Sequence, residues 1–132
     1  MTPPALTKDN SATIGFVVLC LFRGAIDIDE LHAWVDHIYA TTDSCPTYFV
    51  DLIAYDEPLT HIFRTIGFHP ESRLSADERV ALTGIAFLRG REQFEPEPTR
   101  DEAVAALAAH PHIASRFRET FPFIIFEYDH AA

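Results

Sequence analysis

The chain has 132 residues, of which 48% are hydrophobic and 12% aromatic, and this is enough apolar material for a buried core without disulfides or metal ions. Twenty acidic and ten basic residues give a formal net charge of −10, which disfavours nucleic acids and anionic membranes as partners. The sequence has neither an apolar run of membrane-spanning length nor a signal-peptide pattern, so we expect a cytoplasmic protein with a flexible tail at 1–10 and a single helical domain at 11–132.

Two helices are predicted in the first forty residues. The first is buried and covers about Thr13–Arg23, with Ser11 as its cap and Gly24 as its end, although a short all-apolar run is also compatible with a buried strand. The second begins at Asp27 or Asp29 and runs to about residue 40. Its apolar residues recur at the spacing of an amphipathic helix, at Leu31, Trp34, Val35 and Ile38.

The middle of the chain predicts two further helices. Pro46 suits a first helical position, so we expect a short helix over Pro46–Tyr55, despite strand-like residues within it. Helical spacing of apolar residues then predicts a helix over Asp56–Ile66, with Asp56 as its cap and Gly67 as its end.

The last third of the chain contains two capping-box patterns. One predicts a helix from Ser75 to Arg89, and the other a helix from Thr99 to about Ala109, with a proline-rich loop at 91–98 between them. Pro111 begins a last helix through Thr120, and the apolar segment Phe123–Tyr128 is expected to be extended and to pack on the helices. The sequence therefore predicts an all-α fold of about six helices with a short extended C-terminal segment.

The negative charge is concentrated in one part of the chain. No Lys or Arg occurs between Arg23 and Arg64. A solvated acidic surface that aids solubility is one interpretation, but a stretch that spans several elements favours a surface for a basic partner. The acidic residues in this stretch are Asp27, Asp29, Glu30, Asp36, Asp43, Asp51, Asp56 and Glu57.

Specific catalytic motifs are absent from the sequence. The glycines form no phosphate-binding pattern, and Cys20 and Cys45 are expected to be free thiols. Asp29, His32 and Asp36 have the spacing of residues on adjoining helical faces and could hold zinc or iron, but a polar outer face that contains a histidine has the same pattern. We therefore expect no catalytic residue and no cofactor, with a small metal-dependent hydrolase as the alternative.

Four segments resemble small bacterial immunity proteins of polymorphic toxin systems, including contact-dependent growth inhibition systems. They are Gly15–Gly24, Pro46–Leu52, Arg64–Phe68 and His112–Phe123. The resemblance implies a cytoplasmic protein that binds one cognate toxin domain, as a 1:1 heterodimer, and neutralises it. Many such toxins are nucleases, including tRNases, whose basic clefts an acidic inhibitor would fit. The resemblance implies no catalytic residues.

The expected binding surface combines acidic and aromatic residues. Its members are Asp29, Glu30, Asp36, Asp51, Asp56 and Glu57, a second group at Glu95 and Glu97, and the aromatic anchors Tyr39 and Tyr55. A regulatory subunit with an acidic face for another basic protein would have the same sequence features.

Overall fold

The structure, a computed structural model, describes residues 5–71, 73–91 and 97–127. Over these residues it contains seven α-helices, one 3-10 turn and no β-strand, so the predicted all-α class is confirmed. The helices are α1 (Ala12–Phe22), α2 (Ile28–Thr41), α3 (Phe49–Leu52), α4 (Ile62–Ile66), α5 (Ala76–Leu88), α6 (Arg100–Ala109) and α7 (Pro111–Thr120). None of these helices is long and apolar enough to cross a membrane.

The chain is organised into two compact units. The first comprises the described residues of Met1–Leu21 and Asp27–Arg73, and the second those of Phe22–Ile26 and Leu74–Ala132. The first unit therefore carries α1 to α4, except for the last residue of α1, and the second carries α5 to α7. The expectation of a single domain at 11–132 concerns whether the two units fold independently of each other, and it stays a prediction.

In the first unit, the segment 5–10 is held against the start of α1, although the sequence places it in a flexible tail. The Ala5 carbonyl accepts hydrogen bonds from two backbone N–H groups in the first turn of α1, at 3.0 and 3.1 Å. The side chain of Leu6 is buried, and its carbonyl accepts a 2.6 Å hydrogen bond from the Tyr48 hydroxyl. The two bonds to the Ala5 carbonyl satisfy N–H groups that the start of a helix leaves unpaired.

Helix α1 forms where a helix is predicted and is buried on most sides, which explains why its sequence has no polar face. The Ser11 hydroxyl, expected to cap this helix, accepts a hydrogen bond from the backbone N–H of Glu71 at 2.8 Å. After the helix the chain turns through Gly24 with a φ of 79°, a left-handed conformation that glycine adopts without strain.

Helix α2 matches its prediction closely. It begins after Asp27, and its four expected apolar residues, Leu31, Trp34, Val35 and Ile38, are all buried. Phe49 of α3 is also fully buried, and its ring meets that of Trp34 edge-on with 5.4 Å between centroids. This aromatic contact joins α3 to α2.

The two helices predicted at Pro46–Tyr55 and Asp56–Ile66 are both shorter than expected. The first is reduced to the four residues of α3, preceded by a turn in which Phe49 N–H bonds to the Pro46 carbonyl three residues back. The second is a 3-10 turn, Leu59–His61, followed by the five residues of α4. Asp56 therefore does not cap a helix, and its expected role was wrong, whereas Gly67 ends α4 with a φ of 95° as predicted.

In the second unit, α5 and α6 pack closely because the contact contains small residues. Both helices begin at the predicted capping boxes. A Cβ atom added to Gly84 of α5 would clash with the carbonyl group of Ala103 in α6, 2.9 Å from its carbon, and would lie 3.2 Å from the Leu107 Cβ atom. The missing side chain of Gly84 therefore sets how closely the two helices approach.

Helix α7 begins at Pro111 as predicted, and the following residues fold back onto it. Phe121 and Phe126 are buried, and both rings contact Phe117, with centroid separations of 5.0 and 5.5 Å. The Arg118 Nε–H donates to the Phe126 carbonyl at 3.1 Å. Residues 123–127 thus form no helix, and the segment packs on α7 through Phe126, whereas Phe123 and Ile125 are exposed. Tyr128 lies outside the described residues.

Candidate protein-binding surface

The start of α2 uses two acidic side chains for its own stability. The Asp27 carboxylate accepts from the backbone N–H of Glu30 at 2.8 Å, and the Glu30 carboxylate accepts from the backbone N–H of Asp27 at 3.0 Å. This reciprocal capping box pairs N–H groups that would otherwise be unsatisfied. Glu30, an expected partner contact, is therefore engaged within the helix and is half-buried.

Asp29 and Asp36 remain directed to solvent on the same helix. Both are exposed, and seven residues correspond to nearly two helical turns, so the two carboxylates lie on the same side of α2. Asp51 on α3 and Asp56 in the following turn are also exposed. The structure therefore leaves these four expected carboxylates exposed to solvent.

The turn after α3 combines a buried tyrosine with an exposed acid. Tyr55 is only 3% exposed; its hydroxyl donates to the Pro58 carbonyl at 2.6 Å, and its own carbonyl is 2.8 Å from His32 Nε2. Burial, and then the nearby Glu57 carboxylate, raise the pKa of Tyr55. Its contacts are structural, so Tyr55 has almost no surface with which to anchor a partner.

Glu57 is exposed and has a weak local partner. Its Oε1 lies 3.7 Å from His61 Nδ1, four residues later in the chain. An exposed pair of this kind contributes little to stability, and the carboxylate stays open to solvent.

Within residues 5–71, 73–91 and 97–127, no lysine or arginine forms a salt bridge with Asp29, Asp36, Asp51 or Asp56. By contrast, Glu71 in the same unit lies 3.8 Å from Arg73. The first unit contains ten acidic and three basic residues, and the second ten acidic and seven basic residues. The excess of negative charge thus belongs mainly to the first unit.

Of the second expected acidic group, the structure describes only Glu97. Glu97 is exposed and belongs to the second unit, and Glu95 lies outside the described residues.

The metal-site alternative has no geometric support. In the described ranges, no three His, Cys, Asp or Glu side chains come together in a way that could hold a metal ion. Asp29, His32 and Asp36 therefore do not form such a group, and His32 instead bonds the backbone of Tyr55. Cys20 and Cys45, both described by the structure, form no disulfide with each other.

Two features of the surface were missed by sequence reasoning. These are the exposed large apolar side chains Val50, on α3, and Ile53, directly after it. Their exposure was not predicted because the observed helix is much shorter than the predicted one, so its apolar positions could not be assigned to a face. Tyr39, an expected anchor, is 42% exposed, and its ring meets Phe49 edge-on at 5.7 Å.

Comparison of the chain with protein-family models, with curated proteins and with solved structures gives no match. A function for this chain is therefore inferred from its own residues and their geometry.

Proposed function

We propose that this chain is a binding protein for a basic protein partner, and specifically an immunity protein that neutralises a cognate nuclease toxin in the cytoplasm as a 1:1 complex. The observation that supports the proposal most directly is that the first unit exposes several aspartates, among them Asp29, Asp36, Asp51 and Asp56, and that these four have no lysine or arginine partner in the described chain.

Unpaired carboxylates of one sign repel each other in the folded state, and a basic partner removes that repulsion. A nuclease binds phosphates with clusters of Arg and Lys, so its substrate cleft has a positive charge that complements this acidic surface. Complementary fields accelerate encounter by 10-fold or more at low ionic strength, and close charge pairs add specificity. Inhibition then requires only that the bound chain cover the cleft, without any catalytic group of its own.

The direct test uses the gene neighbourhood, because the resemblance implies that an immunity gene lies beside its toxin gene. The C-terminal domain of the large protein encoded directly upstream is expressed with and without this chain. We expect that domain to arrest growth alone, to be harmless with the chain, and to co-purify with it at one to one. Arrest that persists in the presence of the folded chain would refute the immunity proposal.

The electrostatic part is tested with a charge-reversed variant, Asp29→Lys/Asp36→Lys/Asp56→Lys. We expect its association rate with the upstream domain to fall by roughly 10- to 100-fold at low salt, and the difference from wild type to shrink as salt screens the charges. Stopped-flow binding over a salt series measures both effects.

A matched control carries the same change in net charge at exposed acids of the second unit, Asp101→Lys/Glu119→Lys/Glu127→Lys. We expect it to bind nearly as fast as wild type. Equal slowing in both triple variants would show that total charge, and not this surface, steers the encounter.

A further inference from the structure

Beside the exposed aspartates, the first unit exposes three large apolar side chains. Val50 is 67% exposed, Tyr39 42% and Ile53 41%. We refer to Tyr39, Val50 and Ile53 as the apolar patch. Single exposed apolar side chains are common on protein surfaces, whereas several that occur together are typical of an interaction site.

The patch lies on two elements that are packed against each other. The Tyr39 ring of α2 meets the Phe49 ring of α3 edge-on, with centroids 5.7 Å apart and an interplanar angle of 82°. Val50 directly follows Phe49, and Ile53, which keeps helical backbone angles, is three residues further on and so lies on the same side of the chain as Val50. The buried Phe49 thus fixes the two parts of the patch relative to each other.

Two of the unpaired aspartates occur next to the patch. Asp36 precedes Tyr39 by three residues on α2, which places the two side chains on neighbouring positions of one helical face. Asp51 lies between Val50 and Ile53 in sequence. Exposed apolar groups with acidic neighbours are the composition expected of an interface centre with a charged rim.

We propose that the apolar patch receives an aliphatic or aromatic side chain of the basic partner, whose flanking Lys or Arg side chains pair with Asp36 and Asp51. This inference rests on the proposed function and specifies the contact that would hold the partner once charge has brought it close. Charge complementarity selects the occupant, because an acidic or neutral apolar segment would leave both carboxylates unpaired against it.

The first test compares two peptide probes that have equal charge. Each has four lysines; one has a central tryptophan and the other a central serine. Each is titrated into the isotope-labelled full-length protein, and amide shifts are followed by NMR. We expect the tryptophan peptide to bind roughly fivefold more tightly or better and to shift amides at 36–41 and 49–54. Equal affinities, or shifts confined to other segments, would overturn the inference.

The second test replaces an apolar side chain by an acidic one. Val50→Asp makes the surface more negative, so attraction by charge alone predicts equal or tighter binding of the tryptophan peptide. The patch predicts binding that is weaker by about fivefold. The matched control is Ile125→Asp, which alters an 84% exposed apolar side chain of the second unit and is expected to change nothing. Thermal unfolding of each variant checks that the fold is kept.

The two proposals fail in different ways. If the upstream domain is neutralised but Val50→Asp protects and binds as well as wild type, the patch is refuted and the immunity function stands. If the upstream domain never binds the chain, the immunity function is refuted, and the peptide titrations still decide whether the patch takes apolar side chains.

Discussion

Replacing Gly84 by alanine tests the closest helix contact in the second unit. The added Cβ atom would lie 2.9 Å from the Ala103 carbonyl carbon and 3.2 Å from the Leu107 Cβ atom. Ordinary carbon contacts are about 3.5–4.0 Å, and the nearest obstacle is backbone, so α6 must move away from α5 by several tenths of an ångström or more. Overpacking of this kind costs about 3 kcal/mol at the upper end of its usual range.

A gain in helix propensity opposes that cost. Alanine is favoured over glycine inside a helix by about 1 kcal/mol, so we expect Gly84→Ala to lower the free energy of unfolding by about 2 kcal/mol. For a chain of this length the melting temperature should then fall by roughly 6 °C. Urea unfolding followed by far-UV circular dichroism measures the change.

The contribution of helix propensity can be measured separately in α6. Ala105 is exposed within α6, and Ala105→Gly should cost about 1 kcal/mol through propensity alone. If Gly84→Ala were instead stabilising by about that amount, the close approach of α5 to α6 would be refuted.

Two further changes probe single hydrogen-bonded groups. Glu78 accepts from the backbone N–H of Ser75 and lies 2.6 Å from His112 Nε2, and these bonds lower the pKa of its carboxyl from 4.5 to about 2. The contribution of the Glu78 carboxylate to stability is therefore complete above pH 4.5 and is lost as the pH falls toward 2. We expect Glu78→Gln to lower the free energy of unfolding by roughly 1 kcal/mol at pH 6. Urea titrations should show this difference shrinking as the pH falls from 4.5 toward 2. Tyr48→Phe removes the hydrogen bond to the Leu6 carbonyl and should cost about 1 kcal/mol, because a covered carbonyl loses its donor; thermal unfolding measures this loss.

Each of these changes has an internal control. Glu102 occupies the equivalent place in the capping box of α6 without a histidine contact among the described residues, so Glu102→Gln should have a smaller pH-dependent effect than Glu78→Gln. For Tyr48, truncation of residues 1–6 should remove the effect of Tyr48→Phe, since both changes eliminate the same bond. Independent, additive losses would contradict the contact between Tyr48 and the segment 5–10.

The elements that were predictable from sequence are those with local signals. Ser75 and Thr99 each begin a helix through a side-chain contact three residues away, as predicted, and a capping box can be recognised in a sequence because all its parts are close together. The buried stripe of α2 follows from periodicity alone.

The parts that were not predictable depend on tertiary contacts. Tyr55 looks like an available aromatic residue in the sequence, but its hydroxyl and carbonyl bond to other residues and its side chain is covered. The exposure of Val50 depends on where the four-residue helix α3 sits on α2, which no local pattern specifies. The acidic composition of this part of the chain could thus be predicted, whereas the exposure of Val50 and Ile53 could not.

The assignment of Phe22–Ile26 to the second unit has a consequence for how the chain can be divided. These five residues are flanked on both sides by the first unit, yet the carbonyl of Ala25 accepts a hydrogen bond from the Arg89 guanidinium, and Ala25 and Ile26 are buried. A fragment that starts at Leu74 lacks these five residues. A fragment that stops at Arg73 keeps them but lacks the Arg89 side chain that bonds to Ala25. No single cut of the polypeptide therefore yields both units intact, and the Ala25 carbonyl cannot receive its hydrogen bond until Arg89 has been synthesised.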